Sequence, residues 1–164
     1  MKDRLFFEFT VNKEANSILI QREFAAELPL VWDAWTKSEL IDRWWAPPGW
    51  ECKTKSMEFK EGGLRLYLMR GPANEHWGIN TYAKIQLHEG FSGKDCFTDE
   101  NANVIEGYPN SDYQIDFTAK NNHTFIKHRT TYPNLDQLEA SIQYGFEEGM
   151  TMALKGLDAV LGYK

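Results

Sequence analysis

The chain has 164 residues, of which 42% are hydrophobic, 26% charged and 14% aromatic, with a formal net charge of −6. This length suits one domain that can bury a core and still leave room for a cavity. The acidic balance, with no Lys/Arg cluster, argues against nucleic-acid partners and anionic membrane surfaces, and no apolar run is long enough to span a bilayer.

Residues 17–26 are β-rich and partly alternating, and predict a first strand. Pro29 suits the first turn of a helix, where its missing N–H costs nothing, and Val31, Trp32 and Trp35 follow at helical spacing. Ser38 is placed to cap a second short helix carrying Leu40, Ile41, Trp44 and Trp45, which ends at Ala46-Pro47-Pro48-Gly49. From Trp50 to Tyr132 the pattern changes to strands, over 51–60, 64–70, 76–88, 91–98, 112–119 and 123–132. Their short separations imply an antiparallel meander. Leu135, Leu138, Ile142, Phe146, Met150, Ala153, Leu157 and Leu161 then form one apolar stripe. They predict a helix of about 27 residues and about 40 Å, long enough to lie across the whole sheet. Asn134 with Gln137 resembles a capping box, and Gly162 can close the far end.

The expected class is α+β: a curved antiparallel sheet of about six to seven strands around a long C-terminal helix, with two short helices after strand 1. One domain is expected over 1–164, with its core at about 15–161. One straight helix cannot fully cover a curved sheet, so the two enclose a volume. Gly145, Gly149 and Gly156 each cost the helix about 1 kcal/mol relative to alanine. Gly145 and Gly149 share a face. They permit either close packing or space for a ligand.

This element order and its local sequences resemble the SRPBCC superfamily (START-like, Bet v 1-like, helix-grip), in the subgroup of homologues of the activator of heat shock protein 90 ATPase. The resemblance lies in the Val-Trp-x-Ala-Trp and Arg-Trp-Trp-Ala-Pro stretches within 29–47, in Gly62-Gly63 and in Leu68-Met69-Arg70-Gly71-Pro72. It continues in Trp77-Gly78, Phe97-Thr98-Asp99, Thr130-Thr131-Tyr132-Pro133 and Gly145-Phe146-Glu147-Glu148-Gly149-Met150. It implies a deep cavity between sheet and helix that takes a small lipophilic or aromatic molecule. It also implies two alternatives: a polyketide cyclase- or dehydratase-like enzyme, and a module associated with heat shock protein 90. Arg65 stands where the subgroup has an aromatic residue, and Met150 where it often has tryptophan.

On residues 64–70, Arg65, Tyr67 and Met69 share one face, which the resemblance turns inward. An inward guanidinium needs an anionic partner or several acceptors: Asp95 is a candidate internal partner, and an acidic group on a ligand is the alternative. Trp44, Trp45, Trp77, Tyr82 and Tyr113 are candidate walls, with Phe146 and Met150 from the helix, and His128 is a candidate cavity acid or base. Adjacent Trp44 and Trp45 point about 100° apart on a helix and cannot do the same job. No metal-ligand spacing or cofactor fingerprint is present, so no metal and no cofactor are expected. Cys52 and Cys96 read as free and reduced, and the N-terminus does not read as a signal peptide, so the expected location is cytoplasmic. Exposed strand edges or the aromatic patch at 44–50 could support a homodimer.

Overall fold

The computed structural model describes residues 5–162. Its strands are β1 (Phe7–Asn12), β2 (Ser17–Phe24), β3 (Glu51–Met57), β4 (Leu64–Arg70), β5 (Glu75–Thr81), β6 (Lys84–Gln86), β7 (Gly90–Thr98), β8 (Ser111–Lys120) and β9 (His123–Thr131). Its helices are α1 (Leu28–Thr36), α2 (Ser38–Ile41), α3 (Leu135–Gln143) and α4 (Phe146–Val160). All pairings are antiparallel, in the order β1-β2-β9-β8-β7-β5-β4-β3, with β6 paired to β7. The helix-grip architecture expected from the sequence is therefore present, with nine strands where about six to seven were expected.

Two of the added strands have local causes. β1 buries little and is held by its ladder to β2, so it carries no core pattern to read. The 76–88 segment divides into β5 and β6 because the chain leaves the ladder at Tyr82. There the Tyr82 carbonyl accepts from the Gly62 N–H (2.8 Å), and the Tyr82 N–H donates to the Gly63 carbonyl (2.9 Å).

The expected continuous helix is broken. Tyr144 closes α3, and Gly145 sits at φ 89°, ψ 30° before α4 begins. Only glycine enters this left-handed region without a steric cost. The apolar stripe follows two axes rather than one: Leu138, Ala153 and Leu157 are buried, whereas Leu135 and Ile142 are exposed. Replacing Gly145 with alanine should lower stability by about 1–2 kcal/mol. Denaturant unfolding would measure it, and an unchanged midpoint would show that the break tolerates a side chain.

The caps follow the same local logic. Asn134 Oδ1 accepts from the Gln137 N–H at 2.9 Å, as the capping box requires. Gln137 Oε1 instead accepts from the Asn110 N–H (3.1 Å), tying the loop before β8 to α3. Gly162 follows α4 at φ 87°. Ser38 does not cap α2: Lys37 occupies that position, and the Ser38 hydroxyl turns to Glu39.

The core lies between the concave sheet face and the helices. Trp32 of α1 packs edge-on against Phe91 and Phe117 of the sheet. Leu154 and Leu157 of α4 are fully buried. Arg22 of β2 grips Asp158 of α4 with two hydrogen bonds of 3.2 and 2.6 Å, fixing the helix across the sheet. At Gly156 a Cβ would lie 3.7 Å from Trp44, so this glycine serves close packing of α4 over the loop after α2.

Candidate functional site

Register decides which side chains share the concave face. Met69, Tyr67 and Arg65 of β4 stand opposite His76, Gly78 and Asn80 of β5, and Gly78 and Asn80 stand opposite Phe97 and Asp95 of β7. Asp95 in turn faces Ser111 of β8. Gly78 is bare because a Cβ there would lie 2.8 Å from the Tyr67 hydroxyl; its absence lets that ring lie over the strand.

Over this face, α4 and the turn at Gly145 enclose a cavity of about 340 Å³. Of the residues expected to line it, Trp45, Tyr67, Met69, Asp95, His128, Phe146 and Met150 do so. His76, Phe97, Tyr132, Ser141 and Tyr144 join them without having been singled out from the sequence. Each sits next to a legible position, but its inward orientation depends on register or on the helix break. Tyr144 and His76, both exposed, stand at the opening. A second, much smaller cavity of about 20 Å³ lies beneath, lined among others by Arg65, Tyr82 and Tyr113. Asp95 and His128 border both.

Two expected wall residues lie elsewhere. Trp44 is buried beside α1, donating its indole N–H to the Ala34 carbonyl (2.9 Å) and packing on Trp35. Trp77 is opposite Leu68 in the ladder, alternates onto the other face from Gly78, and carries the Lys55 ammonium 5.6 Å from its ring centre.

Arg65 points inward with no exposed surface, as the family resemblance implied, but it is already satisfied. Its Nε donates to Thr54 Oγ1 (2.9 Å) and Nη1 to Asn80 Oδ1 (2.9 Å), while Nη2 donates to Asp42 Oδ1 (3.0 Å) and Cys52 Sγ (3.1 Å). The guanidinium also lies 4.4 Å from the Tyr67 ring centre and 5.3 Å from that of Trp45. Burial pushes the Cys52 thiol up to about 12, so it stays protonated within this network. The ionic partner is thus Asp42, not Asp95, and an acidic ligand group would have to displace it. Asp42 was not singled out because nothing local in the sequence marks it. It closes α2, and only the fold brings it to β3 and β4, where it also accepts from the Thr54 N–H (2.8 Å) and hydroxyl (2.6 Å).

Asp95 is reached from Arg65 through one amide. The Asn80 oxygen accepts from Arg65, so its nitrogen is free to donate to Asp95 Oδ1 at 2.6 Å. The other Asp95 oxygen has no hydrogen-bond partner among the described residues. The side chain keeps some accessibility because the cavity adjoins it, but protein surrounds the carboxyl. Burial pushes it up to about 7, against the lowering effects of the Asn80 hydrogen bond and the Arg65 charge. Burial likewise pushes His128 down to about 4, and its Nδ1 is buried without a partner. His76 is also lowered by burial.

A grip of antiparallel strands and C-terminal helices around an aromatic-walled cavity defines a START-like, Bet v 1-like protein of the SRPBCC superfamily. More particularly, the chain belongs to the family described as activator of Hsp90 ATPase homolog 1-like protein, whose model matches residues 25–162. No curated protein matches the chain. Among solved structures it is similar to protein Ms6760 from Mycobacterium smegmatis (24% identity, TM-score 0.88, covering 96% of this chain and 97% of that one). A protein from Arthrobacter aurescens is 28% identical, with TM-score 0.88 and coverage of 94% and 91%. CalU16 from Micromonospora echinospora shares the fold at 20% identity and TM-score 0.61, over 98% of this chain and 77% of that one.

Proposed function

We propose that this protein binds a small lipophilic or aromatic molecule in the larger cavity. The observation that carries the proposal is Gly149, on the cavity wall inside α4. A Cβ at this position would meet nothing within 4 Å, so no packing partner requires the glycine. A glycine there costs α4 about 1 kcal/mol relative to alanine, and what it leaves open is the cavity. A volume of about 340 Å³ is of the size that small-molecule sites occupy, and walls such as Trp45, Phe97 and Phe146 with few polar groups suit such a guest. Asp95 and His128 are not hydrogen-bonded to each other, so a cyclase- or dehydratase-type reaction finds no preassembled acid–base relay among them.

Native mass spectrometry and thermal-shift screening against fatty acids, polyketides and small aromatic molecules test the proposal. A hit should lose about tenfold or more in affinity on Gly149→Phe, because the ring fills the guest's space. Gly149→Ala should bind normally and melt slightly higher than the parent. Undiminished binding by the phenylalanine variant would place the guest elsewhere and end the proposal.

A further inference from the structure

We infer that the guest carries a protonated amine that pairs with Asp95, an inference that rests on the binding role proposed above. Among the described residues lining the larger cavity, Asp95 is the one acidic or basic side chain other than two histidines. Burial lowers both of these, which keeps them neutral near pH 8. The Arg65 charge cannot serve as the counter-ion. It is bonded to Asp42, and the Asn80 amide stands between it and Asp95. Asp95 has no ion-pair partner within 4 Å among the described residues, and one of its oxygens is unbonded. A carboxylate held at the wall of an aromatic cavity is costly unless a cation or strong donor meets it. An ammonium supplies both charge and N–H groups, and aromatic faces such as those of Trp45 and Tyr67 favour it further. A hydroxyl would supply one hydrogen bond and leave the charge uncompensated, while a carboxylate would be repelled.

Isothermal titration at pH 8 with four probes on one scaffold separates these cases: 2-naphthylethylamine, 2-naphthylethanol, 3-(2-naphthyl)propanoate and 2-ethylnaphthalene. At that pH, above the value of about 7 to which burial raises it, Asp95 is mostly ionised, and an alkyl amine is protonated. The amine should bind about tenfold or more tighter than the alcohol, and tighter still than the acid. Asp95→Asn should abolish this advantage, so that the amine binds no tighter than the alcohol. If the alcohol or hydrocarbon matches the amine, or the acid binds best, the amine inference is overturned and cavity binding stands. If none of the four binds, the amine inference falls, and the ligand screen with Gly149→Phe decides cavity binding separately. Should Asp95→Asn fail to fold, the ranking of the four probes on the parent protein still decides.

Discussion

Arg65→Leu should destabilise the protein by about 2–4 kcal/mol, close to what removing one partner of a buried ion pair costs. The loss arises on the other side of the pair. Asp42 would keep its charge and its Thr54 hydrogen bonds but lose the guanidinium, and the Asn80 amide would lose the donor that orients it towards Asp95. Asp42 retains 24% side-chain exposure, so water softens the penalty relative to a fully dry pair. For a chain of this size the melting temperature should fall by roughly 5–15 °C. Pairing it with Asp42→Leu should recover part of the loss, because the stranded charge is then gone too. Additive losses in the double variant would show that Arg65 acts through packing on Tyr67 and Trp45 rather than through Asp42.

Asp95→Asn and His128→Gln should tilt the pH dependence of stability in opposite directions. The Asp95 carboxyl lies near 7 in the folded protein, above its unfolded value of about 4, so its stabilising contribution is complete below pH 4 and lost as pH rises towards 7. His128 lies near 4, below its unfolded value of about 6.5, so the folded state loses stability as pH falls from 6.5 towards 4. Between about pH 4 and 6.5 the two slopes oppose each other and largely cancel in the parent protein. Asp95→Asn leaves the histidine alone, and stability should then rise with pH by up to about 1.4 kcal/mol per unit. His128→Gln should show the reverse slope. Denaturant unfolding at several pH values, read as the difference between each variant and the parent, isolates these contributions from other titrating groups. Two difference profiles that stay flat would mean that neither group is shifted as its surroundings imply.

Much of the fold was legible because it is written in local chemistry. Gly62-Gly63 and Asn121-Asn122 mark real turns; Gly62 and both asparagines adopt positive φ, which their side chains or lack of them allow. The buried stripe residues Leu138, Ala153 and Leu157 follow helical spacing that needs no knowledge of the partner. The break at Gly145 was not legible. An interior glycine weakens a helix whether or not the chain turns there, and the choice rests on what α3 and α4 pack against. The site divides in the same way. Alternation alone put Arg65, Tyr67 and Met69 on one face of β4, and the mismatch of a straight helix with a curved sheet anticipated a cavity. Trp45 rather than Trp44 or Trp77 lines the cavity because α2 ends at Ile41, short of the two tryptophans it was expected to carry, and the turn that follows, together with strand register, chooses between neighbours of identical chemistry.

By itself, then, the amino-acid order determined the element types, the turns and which residues of β4 share a face, since each depends on residues a few positions apart. The tertiary structure decided that Asp42 neutralises Arg65 and that Asp95, on the cavity wall, keeps one oxygen without a hydrogen bond among the described residues. Those pairings join residues distant along the chain, and a carboxylate carries no mark of which cation it will meet until the backbone has brought them within hydrogen-bond reach.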